Sequence, residues 1–325
     1  MTGQEYKAES HGSPRAYERR GFRLPRRSGR TSGTMGSLLA FSGLALLLLL
    51  LGGSSWGPGI HLDLALRALK RRTGASEGLL LCREHREDFL YGTIAADIVT
   101  FKSYGGARGA CHRWTVIQRL RKLVREPAEE AFVLGYGAHL AADTVSHNNF
   151  VPYHLCRYPR YGALGHLYWE LCADQDADPR VWDLIQDLQR RSGLRTHDDL
   201  IGRAVPKRVF SMGVNKRIFN HLVLAAGKER WRRGMALARR RTRDPLPRSR
   251  LDRFRRLALR RVRQFLEEGL TPELVLLDPS GKRALAEAAG ARRRFRRTRG
   301  RGEPARPAEG PREESIESFS RRYLP

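Results

Sequence analysis

Residues 131–147 read AFVLGYGAHLAADTVSH, and the spacing of three of them decides how the chain folds. His139, Asp143 and His147 stand four residues apart. Four residues of α-helix turn about 400°, so the three side chains share one face with a slow drift. The positions between them are small or apolar, which suits a helix buried on most sides. Glu126-Pro127 opens this helix, because proline is tolerated in a first turn, and the pattern continues through His147. Two imidazoles and a carboxylate on a buried face are costly without a partner. A divalent cation removes that cost, and imidazole beside carboxylate is a donor set that zinc selects.

Outward from this stretch, the same i, i+4 pairing recurs at His166 and Glu170 in GHLYWEL. Seven of the ten histidines fall between His61 and His166, a clustering that points to a shared site. His61, Asp97 (in YGTIAADI) and His112 join the candidate donors, while His85 and His154 are left as spares. The four cysteines, Cys82, Cys111, Cys156 and Cys172, form no CxxC pair and do not read as a zinc ribbon. In an exported protein some of them could pair, in a connectivity the sequence does not give.

Helical periodicity dominates on both sides of the site. HLDLALRALKR places Ile60, Leu64 and Ala68 or Leu69 at helical spacing, and HRWTVIQRLRKLV is a basic amphipathic helix. Another helix starts at His166, and VWDLIQDLQRR and VNKRIFNHLVLAA follow. Leu251, Phe254, Ala258, Val262 and Phe265 form one apolar stripe with arginines on the other sides. That helix either closes a core or docks on anionic lipid. Asn148 to Gly165, with Pro152 and Pro159, reads as loop, and strand patterns are scarce. The expected fold class is all-α, a multi-helix bundle.

The chain has 325 residues and a net charge of +27, enough length for a sizeable core. The charge is uneven: between Arg230 and Arg301 there are 24 Lys/Arg against 7 Asp/Glu, while the candidate donors lie in a more balanced region. Such an excess favours polyanions, either an anionic membrane surface or nucleic acid, and otherwise reflects solvated helix faces. No protein partner is identifiable. Leu38 to Leu51 is an apolar run of signal-peptide length, preceded by Arg26, Arg27 and Arg30 and followed by Gly53 and Ser55, small residues suited to a cut before Trp56. Export to the periplasm or the exterior is expected, or membrane association if the segment is an uncleaved anchor. The expected organisation is a basic disordered leader over 1–36, with Met35 an alternative start. A signal peptide or anchor over 37–55 and a helical catalytic domain over 56–245 follow. An Arg-rich helical extension over 246–290 and a disordered tail over 291–325 complete the chain.

On these motifs the chain resembles the zinc-dependent phospholipase C family, including the catalytic domain of glycosylphosphatidylinositol-specific phospholipase D. The resemblance runs over roughly residues 56 to 175. It implies an exported all-helical domain with a trinuclear zinc site, in which the first mature residue, a tryptophan, ligates through its α-amine and carbonyl. Trp56 takes that position after a cut behind Ser55. His61, Asp97 and His112 match the family's next donors, His139, Asp143 and His147 its central motif, and His166 and Glu170 its terminal pair.

By the same resemblance Asp97, His112, His139 and Asp143 hold one Zn2+, and Trp56 and His61 a second with Asp143 bridging. His147, His166 and Glu170 hold the third. A water shared by such ions loses its proton near pH 7 and becomes a metal-bound hydroxide for in-line attack at phosphorus, with Asp97 as the catalytic residue that orients it. The short Trp-x4-His spacing is closer to the related single-strand-specific nucleases, whereas the tight His-x3-Asp-x3-His resembles the phospholipase D branch. The expected activity is phospholipase C-like hydrolysis of a phospholipid head group. The alternatives are a nuclease on the same site, or an inactive zinc-binding protein at a membrane.

Overall fold

Alanine, leucine and arginine, all strong helix formers, fill the periodic segments, and among the described residues no strand forms. The computed structural model describes residues 56–70, 75–99, 111–157, 165–205, 210–226 and 246–298, together with Arg233 and Ala236. In order the helices are α1 (Pro58–Leu69), α2 (Glu77–Glu84), α3 (Arg86–Ala95), α4 (Trp114–Arg121), α5 (Pro127–Val145) and α6 (Val151–Arg157). They continue as α7 (Gly165–Asp174), α8 (Pro179–Arg190), α9 (Arg195–Ala204), α10 (Met212–Ala226), α11 (Arg248–Glu268), α12 (Pro272–Val275) and α13 (Lys282–Thr298). The fold is all-α, as the periodicity predicts. The leader, the apolar run Leu38–Leu51 and the last 27 residues lie outside the described residues. No helix among the described residues is long and apolar enough to cross a membrane.

Helix α5 is the axis of the bundle. Pro127 sits in its first turn, and Glu126 and Glu129 form a reciprocal capping box that satisfies amides at its start. Every residue from Ala131 to Val145 is buried. Two of its glycines explain how neighbours approach so closely. A Cβ on Gly135 would lie 2.0 Å from the Phe89 carbonyl oxygen, and one on Gly92 of α3 would lie 2.1 Å from that of Phe132. The α3 and α5 backbones therefore cross almost in contact. On another side a Cβ on Gly137 would meet the Phe265 ring of α11 at 2.0 Å.

The Arg-rich helix α11 accordingly belongs to the core. Leu251, Phe254, Ala258, Val262 and Phe265 are all buried, and Phe254 packs edge-on to Phe150 with ring centroids 5.4 Å apart. Most of its arginines lie on the other sides, and Arg255 alone among them is buried.

Two local expectations are corrected. Residues 148–157 are not loop: the α5 helix passes into a π-helical turn, Ser146–Phe150, and then into α6, which carries Pro152 as its second residue. The wider turn places His147 on a π segment, a distortion that recurs at functional sites. At the far end α13 continues through Ala291 to Thr298, because ARRRFRRT carries strong helix formers despite its charge.

Candidate metal centre

Two helices and two connecting segments deliver the first group of donors. His61 lies on the buried face of α1, Asp97 in the turn after α3, His112 just ahead of α4, and His139 and Asp143 on α5. Asp143 is the hub, fully buried, with Oδ2 at 3.2 Å from Nε2 of both His112 and His139 and Oδ1 at 3.3 Å from His61 Nε2. Asp97 Oδ1 stands 3.4 Å from His112 Nε2 and 3.9 Å from His139 Nε2. The His61 and His139 rings stack at 3.8 Å. Donor atoms of His61, His139 and Asp143, and again of Asp97, His112 and His139, all lie within 4.8 Å of one another. His139 is common to both groups.

A third group forms on the next turn of the same wall. His147 Nε2 is 3.4 Å from Glu170 Oε1, and His166, four residues before Glu170 on α7, approaches the same oxygen at 2.8 Å. His147, His166 and Glu170 likewise meet the 4.8 Å spacing. The structure thus brings together eight of the nine residues singled out in the sequence. Trp56 is placed differently: its side chain is a core group, buried and edge-on to Phe150 at 5.5 Å. Its nitrogen becomes an amine only after a cut behind Ser55, so its ligand role rests on the resemblance.

The surroundings orient the imidazoles. His139 Nδ1 faces the Thr93 carbonyl at 2.9 Å and His147 Nδ1 the Pro279 carbonyl at 2.6 Å. A carbonyl only accepts, so each Nδ1 carries the proton and each Nε2 turns a lone pair inward, the arrangement of a metal-ligating histidine. His112 Nε2 and His139 Nε2 then approach to 2.9 Å, and both Asp143 oxygens and Glu170 Oε2 are buried without a hydrogen bond. Lone pairs and carboxylate oxygens converging without donors fit a divalent cation, which supplies the charge they lack.

Electrostatics follow the same logic. Burial pushes the His61 imidazole down, and His139 beside it adds to that. Burial alone would raise the Asp143 carboxyl, but the imidazoles of His139, His61 and His112 hold it well below the carboxylate range. For His147 burial acts downward, yet Glu170 and Asp143 outweigh it and lift the ring to about 9. In both places a positive charge is wanted, and a metal ion meets that need without a proton.

One buried carboxylate beside the site escaped the sequence reading. Asp174 is fully buried at the end of α7 and accepts from the Ile60 amide at 2.9 Å. A Cβ on Gly57 would lie 2.4 Å from its Oδ2, and one on Gly59 2.8 Å from its Oδ1. Its carboxylate therefore grips the start of α1, the segment that carries Trp56 and His61. The signal was present, since His166, Glu170 and Asp174 repeat the i, i+4, i+8 spacing of the central motif.

Comparison with protein families matches residues 60–222 to the family described as zinc dependent phospholipase C. The chain belongs to this family. The match takes in α1 through most of α10 and every candidate donor except Trp56. No curated protein and no solved structure matches the chain. Membership in the zinc-dependent phospholipase C family and the three His/Asp/Glu groups agree on a hydrolase-type metal centre suited to zinc.

Proposed function

We propose that this chain hydrolyses the phosphodiester of a phospholipid head group, using up to three Zn2+ held by Trp56, His61, Asp97, His112, His139, Asp143, His147, His166 and Glu170. The observation that carries the reading is the shared donor geometry. One carboxylate, Asp143, is within 3.3 Å of three imidazoles, with a second complete donor group one helical turn away. When bound, zinc supplies Lewis acidity toward phosphate oxygens and makes water acidic enough to react near neutral pH.

The chain's own residues do the rest. Asp143, with an oxygen toward His61 and another toward His112 and His139, would hold metal and offset its charge. The Thr93 and Pro279 carbonyls keep His139 and His147 in the ligating tautomer. In the first group Asp97 and His112, 8% and 7% exposed, are the members nearest solvent, whereas Asp143 is fully buried. By the resemblance, Asp97 is the residue that would orient the attacking water. Export ahead of Trp56, with the apolar run Leu38–Leu51 removed, belongs to the same reading, since it frees the α-amine for the site.

Purified mature protein should release phosphorylated head group from phospholipid vesicles and lose this activity on chelation. Asp143→Asn should lower the rate on the order of 10³-fold, because several kcal/mol of charge compensation disappear. Cleavage of single-stranded nucleic acid with intact vesicles would replace this reading by a nuclease. Full zinc occupancy without turnover of either substrate would leave a zinc-binding membrane-associated protein.

A further inference from the structure

The family match ends at residue 222, yet the backbone that orients His147 comes from well beyond it. Between α12 and α13 the segment Leu277–Gly281 folds over the π-helical turn. Pro279 offers its carbonyl to His147 Nδ1 at 2.6 Å, and both Pro279 and Gly281 are buried. Gly281 has φ +56°, and a Cβ there would lie 2.4 Å from both the Cβ and the carbonyl oxygen of His147. The contact needs glycine twice, once for the left-handed backbone and once for the space.

The loop is fastened on both sides of this contact. Asn148 Nδ2 donates to the Asp278 carbonyl at 2.8 Å and to Thr144 at 2.7 Å, and Trp114 Nε1 donates to the Leu277 carbonyl at 2.8 Å. Within the loop the Asp278 carboxylate accepts from the Ser280 amide at 2.9 Å and the Lys282 amide at 3.2 Å, which sets the turn and caps α13. Helix α13 then packs on α6 and the π turn. Among the described residues nothing comparable reaches His166, so the third donor group has one ligand held by the C-terminal segment and one partly open to solvent, with 23% of its side chain exposed.

We infer that Asp278–Gly281 is a positioning element for the third metal position, which fills only when the segment 271–290 is docked on His147. This rests on the proposed metal reading. Pro279 acts through the His147 ring and Gly281 through close contact with the His147 Cβ and carbonyl, and loss of such an outer partner typically weakens a metal site about 10- to 100-fold.

The test is zinc titration of the full mature chain against a competing chromophore, with thermal melting of each metal-free variant. Gly281→Ala should weaken the third ion about 10- to 100-fold and leave the other two unchanged. Gly269→Ala, at φ +73° and with an added Cβ that would meet nothing within 4 Å, strains the backbone away from His147 and should leave all three affinities unchanged. Asp278→Ala, at an exposed position, loosens the turn and should weaken the same ion even if Gly281→Ala fails to fold. Third-ion affinity within twofold of the parent in folded Gly281→Ala and Asp278→Ala would overturn the inference. A parent chain that takes up no third ion at all would instead remove the metal reading beneath it, and the inference with it.

Discussion

Asp174 shows how one buried carboxyl can be both necessary and expensive. Burial lifts its pKa from 3.8 to about 7, against the opposing pull of the Ile60 and Gly59 amides and the Arg255 guanidinium. The folded carboxyl keeps its proton up to about pH 7, whereas the unfolded one loses it near 3.8. Across that window the folded state binds more protons, so this group's contribution to stability is present in full below pH 3.8 and is lost as pH rises through 7. Asp174→Asn keeps an oxygen for the Ile60 amide and removes the titration. Its melting temperature should fall less than the parent's between pH 4 and pH 8, a relative gain of about 1–3 kcal/mol at the upper end. An identical pH slope in both proteins would show that Asp174 is not the buried acid described here. The residue was within reach of sequence reading through its spacing from Glu170. Nothing in the sequence, however, distinguishes a carboxylate aimed at a metal from one aimed at the start of another helix.

At the level of elements, the helices were legible and their junctions were not. Apolar periodicity locates α1, α5, α8 and α11 because a buried stripe repeats every 3.6 residues whatever it packs against. The π turn at Ser146–Phe150 and the helix α6 after it carry no such mark; Pro152 and the polar SHNN run suggest a loop. Packing decides there, since α13 covers α6 and the π turn. Glycines in α5 likewise read as weak helix positions until α3 is seen against them. Gly135→Ala should destabilise the protein by about 1–3 kcal/mol or more, because the backbone of Phe89, not a flexible side chain, stands in the way. Gly213→Ala in α10, with nothing within 4 Å, should instead be neutral or stabilising by up to about 1 kcal/mol. Chemical denaturation of the two variants compares them directly; equal effects would contradict a close α3–α5 crossing.

On the scale of the whole molecule, eight donors from α1, α5, the π turn, α7 and the segments after α3 and ahead of α4 gather along α5, although they span residues 61–170 of the sequence. Donor type and i, i+4 spacing made the list readable beforehand. The carbonyls of Thr93 and Pro279 were invisible, because every residue has a carbonyl and only the fold chooses which ones face an imidazole. The C-terminal segment enters the account in the same way: its arginines suggest a separate basic surface, yet Phe254 and Phe265 bind it into the core and Pro279 reaches His147. The central claim, that these side chains form one multinuclear zinc pocket, is tested most directly by anomalous diffraction at the zinc edge from crystals of the mature protein. Peaks are predicted beside His61 and Asp143, among Asp97, His112 and His139, and between His147, His166 and Glu170. A map with no zinc within bonding distance of Asp143 would contradict the account.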